Sequence, residues 1–198
     1  MSNRPPILGV TGGIGSGKST VCKVFETLGA ITYYADNRAK WLMSNDGALV
    51  DEIKQLFGEN AFKAGVLDRK YIADIVFKDQ TVLERLNELV HPAVAKDVIQ
   101  WIDDNKEAPL LLKEAALLFE TGSYKQLDKT ILVTAPADMR IQRVLQRDVH
   151  RPESEVRSIM DKQMSDADKI PLADYIIEND GKQSVIKQVM DVYRSIIA

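Results

Sequence analysis

Gly12-Gly13-Ile14-Gly15-Ser16-Gly17-Lys18-Ser19 spells G-x-x-x-x-G-K-[ST], a spacing that brings several main-chain N–H groups, one ammonium and one hydroxyl into the same small volume. Glycines let the backbone curl so that successive amides face inward, and a helix opening behind them adds about half a positive charge. Such a loop holds phosphate. Lys18 would reach the β- and γ-phosphates of a nucleoside triphosphate, and Ser19 would offer its hydroxyl to Mg2+.

A second group is cationic. Arg140, Arg143 and Arg147 are spaced by three and four residues, which places them along one helix face, rotated away from the apolar stripe of Ile141, Val144 and Leu145. With His150, Arg151 and Arg157 they form a local basic cluster suited to clamping phosphates and closing as a lid. The competing reading is a solvated charged face answered by Asp148, Glu153 and Glu155. The dominance of arginine over lysine favours phosphate.

Two carboxylates complete the chemistry. Asp36 follows an apolar run at a sheet edge, where it either orients an acceptor hydroxyl or caps the next helix; both readings stand. Glu114 follows Leu110 to Leu112, where it either holds a magnesium-bound water or is a surface glutamate beside Lys113. His91 beside Pro92 receives no general-base role, since a histidine at a helix start is more often structural. Cys22 reads as a small packed residue behind the glycine loop rather than a nucleophile.

Positioning these groups requires strands that end where the ligands sit. Ile7 to Thr11 reads as a buried central strand ahead of the loop, and Val21, Val24, Phe25 and Leu28 give the helix that follows, stopped by Gly29. Ile31 to Tyr34 is a second strand. From Asp36 to Asn105 the periodicity is helical throughout, with Asp68 as an N-cap and Pro92 opening the last helix. Strands resume at Leu110 to Leu112 and Thr130 to Thr134, and again at Tyr175 to Ile177. A helix runs from Pro136, another begins near Glu153, and Val185 to Ile197 forms an amphipathic C-terminal helix.

Composition sets the outer limits. The 198 residues, 45% hydrophobic and 28% charged, have ample material for one α/β core with small insertions. Lys and Arg number 26 against 29 Asp and Glu, a net charge of -3, which argues against a nonspecific nucleic-acid binder. The single cysteine gives no disulfide framework, and no apolar run near the start is long enough for a signal core or a membrane span, so a soluble cytoplasmic protein is expected.

Taken together, the glycine loop, the helical insertion and the arginine cluster resemble the dephospho-coenzyme A kinase family over nearly the whole chain. Leu8-Gly9-Val10-Thr11 leading into the glycine loop is similar to that family's N-terminal signature. Gly65-Val66-Leu67-Asp68-Arg69, Val76-Phe77, Leu86-Asn87 and His91-Pro92 follow in the family's order, as do Leu117-Leu118-Phe119-Glu120, Gln146-Arg147-Asp148 and Asn179-Asp180-Gly181. Tyr34 departs from it, standing where many members carry the first aspartate of Asp-x-Asp, and Ala116 replaces the usual proline before Leu-Leu-Phe-Glu. The first departure concentrates acceptor activation on Asp36.

The resemblance implies a P-loop fold of three α/β/α layers with about five parallel strands. Residues 1–36, 106–139 and 172–198 would form the nucleotide-binding core, 37–105 a helical acceptor subdomain and 140–171 the lid. It implies phosphorylation of the ribose 3′-hydroxyl of dephospho-coenzyme A by ATP with Mg2+; a monomer without nucleic-acid or membrane partners is expected beside it. Lys18, Asp36, Arg143 and Arg147 would be catalytic. ATP would lie on Gly13, Ile14, Gly15, Ser16, Gly17, Lys18, Ser19, Thr20, Arg143 and Asn179, and the acceptor on Asp36, His91 and Leu117. Ser19 would bind the metal directly and Glu114 through water. Rival readings are another small-molecule kinase of this fold and a nucleotide switch; the latter lacks its guanine-reading Asn-Lys-x-Asp, since Asn105-Lys106-Glu107 ends in Ala108.

Overall fold

The computed structural model describes residues 4–197. In chain order the elements are β1 (Ile7–Thr11), α1 (Lys18–Thr27), β2 (Ile31–Tyr34), α2 (Ala35–Asn45), α3 (Gly47–Phe57), β3 (Phe62–Lys63), β4 (Val66–Leu67), α4 (Arg69–Val76) and α5 (Gln80–Asp104). There follow β5 (Leu111–Glu114), β6 (Lys129–Thr134), α6 (Ala137–Arg147), α7 (Glu153–Lys162), α8 (Asp166–Lys169), β7 (Tyr175–Glu178) and α9 (Val185–Ile197). They form two compact units, one running to Tyr34 and resuming at Asn105, the other spanning Ala35–Asp104.

The first unit is built on a five-stranded sheet in the order β2-β5-β1-β6-β7, with every neighbouring pair parallel. β1 is central, and all five of its residues are buried, as its unbroken apolar run requires. Leu8, Val10, Leu112, Ile131, Val133 and Ile177 pack with Val21, Cys22 and Phe25 of α1 and Val189 and Val192 of α9. Each large side chain so buried contributes about 1.5–3 kcal/mol. The sheet's opposite side at Gly9 is filled by Leu118 and Leu127, which leave no room for a Cβ there. Because the strands are parallel, the loop after β1, Glu114 at the end of β5 and Asn179 after β7 all fall at carboxyl ends, where this class of sheet binds ligands.

The second unit has its own core of Leu42, Leu49, Ile53, Phe57, Ala61, Leu67, Ile72, Leu86 and Val90. Asp46 caps α3 through the Leu49 N–H at 3.0 Å, and Asp68 caps α4 through the Tyr71 N–H at 3.0 Å. Arg38 forks onto Asp97 at 2.7 and 2.8 Å, tying α2 to α5, and its guanidinium lies 4.1 Å above the Trp41 ring.

Two expectations change here. The segment is not helical throughout, because β3 and β4 form a short antiparallel hairpin turning at Ala64 and Gly65, both with positive φ. Nor does Pro92 open a helix: it lies inside α5. Its missing N–H costs one rung of the ladder, and Leu86, Val90, Ala93 and Val94, all set against the unit's core, hold the helix continuous across the gap.

Candidate functional site

β1 delivers the chain into residues 12–17, and α1 begins at Lys18, so the glycine run occupies the strand-to-helix turn. Gly15 and Gly17 adopt φ of 77° and 96°, a region that side chains resist. Space forbids a side chain as well. A Cβ at Gly15 would strike the Arg140 carbonyl, and one at Gly17 the Asn179 carboxamide.

Lys18 folds back over the loop and donates from Nζ to the Gly12 carbonyl at 2.9 Å, while Nζ stands 3.9 Å from Glu114 Oε1. Glu114 is only 7% exposed, which excludes the surface-glutamate reading. Burial lowers the pKa of its neighbour Lys113. Parallel pairing sets Glu114 beside Val10, two residues ahead of the first loop glycine, and so brings its carboxylate to the lysine. Ser19 and Thr20 sit exposed in the first turn of α1. The Ser16 hydroxyl is buried with no hydrogen-bond partner, a donor free to meet a phosphate oxygen.

The arginines part company. Arg143 donates from Nη2 to both the main-chain and side-chain oxygens of Asn179, at 3.0 and 3.3 Å, and its Nη1 is buried without a hydrogen-bond partner. Asn179 in turn donates from Nδ2 to the Ser16 carbonyl at 2.9 Å, so Arg143, Asn179 and the phosphate loop form one chain of contacts. Arg140 is buried and donates from Nε to the Ile14 carbonyl at 2.9 Å. Arg147 instead forks onto Asp148 at 2.9 Å, Arg151 meets Asp148 and Glu155, and Arg157 meets Glu153. The hydrogen bond from Arg147 holds the Asp148 carboxyl below its usual range. The solvated-face reading therefore holds for the outer half of the cluster.

Asp36 is the second residue of α2, exposed in its first turn; α2 starts directly at Ala35, so Asp36 lies within the helix rather than capping it. His91 is exposed in the middle of α5, in the unit Ala35–Asp104. Leu117 is half-exposed in the turn after β5. Tyr34, at the departure from Asp-x-Asp, donates its hydroxyl to Glu26 on α1 at 2.9 Å, and burial pushes its pKa up. Cys22 is fully buried and its thiol is likewise raised by burial, which makes it inert.

Sequence reasoning missed two groups. Gln163 accepts the Ile14 N–H at 2.9 Å, and Lys169, with no exposed surface, lies 2.9 Å from Glu120 Oε1, which also accepts the Met164 N–H at 3.1 Å. Neither carries a local signal, because each partner is more than forty residues away.

Among the described residues no cluster of three or more His, Cys, Asp or Glu could hold a metal by itself. The donor set at the loop, a helix-start hydroxyl and one buried carboxylate, suits Mg2+, which keeps several waters and relies on substrate phosphates rather than a protein cage.

The family model CoaE, dephospho-CoA kinase, matches residues 6–184. The dephospho-CoA kinase of Aquifex aeolicus is 37% identical over 96% of both chains. Among solved structures, TT1252 from Thermus thermophilus superposes with a TM-score of 0.88 at 33% identity, covering 98% of this chain and 99% of that one. A dephospho-CoA kinase from Campylobacter jejuni gives 0.70 at 26% identity, over 99% and 98%.

Proposed function

The chain belongs to the dephospho-CoA kinase family, and from that premise we propose that it transfers the γ-phosphoryl group of ATP to the ribose 3′-hydroxyl of dephospho-CoA, completing coenzyme A synthesis. The observation that carries this reading is the phosphate loop itself: Lys18 folded over it, Glu114 buried beside Lys18, and Arg143 linked to it through Asn179.

Loop amides not already bonded within the protein, as those of Ile14, Ser16 and Thr20 are, and the Lys18 ammonium hold the triphosphate, with the Ser16 hydroxyl and Arg143 Nη1 as further donors. Ser19 and, through water, Glu114 would hold Mg2+, which would supply positive charge to neutralise the transferred group. Arg143, and Arg147 on release from Asp148, stabilise the charge that spreads over the equatorial oxygens. Asp36 aligns the acceptor hydroxyl, and His91 and Leu117 contact the acceptor. A loose transition state asks little of a base, so Asp36 acts chiefly by orientation. Residues 140–171 serve as a lid that keeps water from the phosphoryl group.

Mass spectrometry of the purified protein mixed with Mg-ATP and dephospho-CoA tests this directly. The acceptor should gain one phosphoryl group on its ribose. ATP hydrolysis at the same rate with or without dephospho-CoA, with no phosphorylated acceptor, would instead favour a nucleotide switch.

A further inference from the structure

Ile14, at the tip of the phosphate loop, is held on three sides by residues far along the chain. Its carbonyl accepts from Arg140 Nε at 2.9 Å, and its N–H donates to Gln163 Oε1 at 2.9 Å. Its side chain packs on the small cluster of Ile141, Val144 and Val156, which joins α6 to α7. The two glycines flanking Ile14 are closed by the same arginine. A Cβ at Gly13 would strike the Arg140 guanidinium, and one at Gly15 its backbone. Arg140 is 8% exposed, and its Nη1 lies 3.5 Å from Asp166 Oδ2. Its Nε and Nη1 are thus directed at a main-chain carbonyl and a carboxylate, and Nη2 is the atom that presses on the loop at Gly13.

We propose that Arg140 and Gln163 are positioning residues that fix the tip of the phosphate loop through Ile14, and that Arg140 does not act as a charge on the nucleotide. This rests on the reading of residues 12–20 as the ATP cradle. Both main-chain groups of a loop residue are otherwise free to rotate, and a loop whose amides wander binds phosphate only after being ordered by it. Holding Ile14 from α6 and from the residue after α7 leaves the remaining amides pre-aimed. The interaction serves ground state and transition state alike, so its loss should appear in ATP affinity more than in turnover.

The chemistry of two side chains separates positioning from charge. In glutamine the amide nitrogen stands as many bonds from the backbone as Nε does in arginine, so Arg140→Gln can restore the bond to the Ile14 carbonyl without any charge. Arg140→Leu keeps bulk and restores nothing. Expected are a rise of about tenfold in KM for ATP with Arg140→Leu and of less than about threefold with Arg140→Gln, with KM for dephospho-CoA within about twofold in both. Gln163→Met, similar in length and lacking the carboxamide, should match Arg140→Leu. If Arg140→Gln is as impaired as Arg140→Leu, the charge matters and the proposal fails; it also fails if Arg140→Leu and Gln163→Met leave KM for ATP unchanged. Should Arg140→Leu not fold, Gln163→Met and Arg140→Gln decide by the same criteria. Calorimetric titration with ATP alone reads the loop independently of transfer, so a wild-type protein that binds ATP but phosphorylates nothing would overturn the function while still testing this assignment.

Discussion

Arg140 and Arg143 on the first turns of α6 and Arg147, Arg151 and Arg157 at its end and beyond are the same residue type within one short stretch of chain, yet they have opposite surroundings. The first pair turns inward, to Ile14 and to Asn179, and is tied to the phosphate loop. The later three turn to Asp148, Glu153 and Glu155 within one or two helical turns, and Arg147 and Arg157 keep 65% and 58% of their side chains exposed. What separates the groups is reach and desolvation: an inward guanidinium finds fixed main-chain carbonyls, while an outward one finds neighbouring carboxylates in water, where a pair is worth about 0–1 kcal/mol. One residue type therefore produced a scaffold at one end and a solvated, releasable set at the other.

If that contrast is right, changes on the inner side are costly. The largest expected effect is at the loop itself: Lys18→Ala should lower kcat on the order of 10^3 to 10^5-fold while circular dichroism and Tm stay near wild type. Asp36→Asn should lose only about tenfold, since orientation survives loss of charge. Wild-type turnover in Lys18→Ala would remove the mechanism altogether.

Next in size is the pair that ties the end of α8 to the segment after β5. Lys169 is fully buried against Glu120, so Glu120→Ala leaves an uncompensated ammonium and should cost about 3–5 kcal/mol in chemical denaturation. Glu153→Ala, which breaks an exposed pair with Arg157, should cost at most about 1 kcal/mol. Equal losses would mean that the inner and outer sets do not differ in kind.

Arginine removal sharpens the same contrast kinetically. Arg143→Ala breaks the link through Asn179 to the Ser16 carbonyl and should lower kcat/KM for ATP by about 10^2, with a measurable drop in Tm. Arg147→Ala should lower kcat by about tenfold and leave Tm unchanged, because its exposed side chain is bonded, among the described residues, to its neighbour Asp148. A fall in Tm on removing Arg147 would place it in the scaffold.

The parts of this arrangement that were legible in the sequence are those whose partners are local. The glycine loop declares itself because its geometry is settled within eight consecutive residues, and the central strand because a parallel strand must be apolar on both faces. The helix face of α6 was legible too, but not its division, since Arg143 meets Asn179 across 36 residues and Arg140 meets Ile14 across 126. Gln163 is a lone polar residue after a helix, and nothing in its neighbours marks it. The β3–β4 hairpin escaped because two strands of two residues carry no period, and Pro92 misled because helix interiors tolerate proline only when tertiary packing compensates.

The smallest expected effect tests whether the outer set is electrostatic at all. The hydrogen bond from Arg147 holds Asp148 below its ordinary value of 3.8, with Arg151 adding to the attraction. A carboxyl depressed in the folded state contributes stability above its unfolded value and loses it as the pH falls through the folded one. The Tm of wild type should therefore exceed that of Asp148→Asn by a small, constant margin above about pH 5, and the margin should close as the pH drops below 3.8. It should also shrink in about 1 M salt, where screening acts over roughly 3 Å. A margin indifferent to both acid and salt would show that Asp148 acts instead through its place as the residue ending α6, where its N–H donates to the Val144 carbonyl at 2.8 Å, and the outer arginines would then be bystanders to a helix stop.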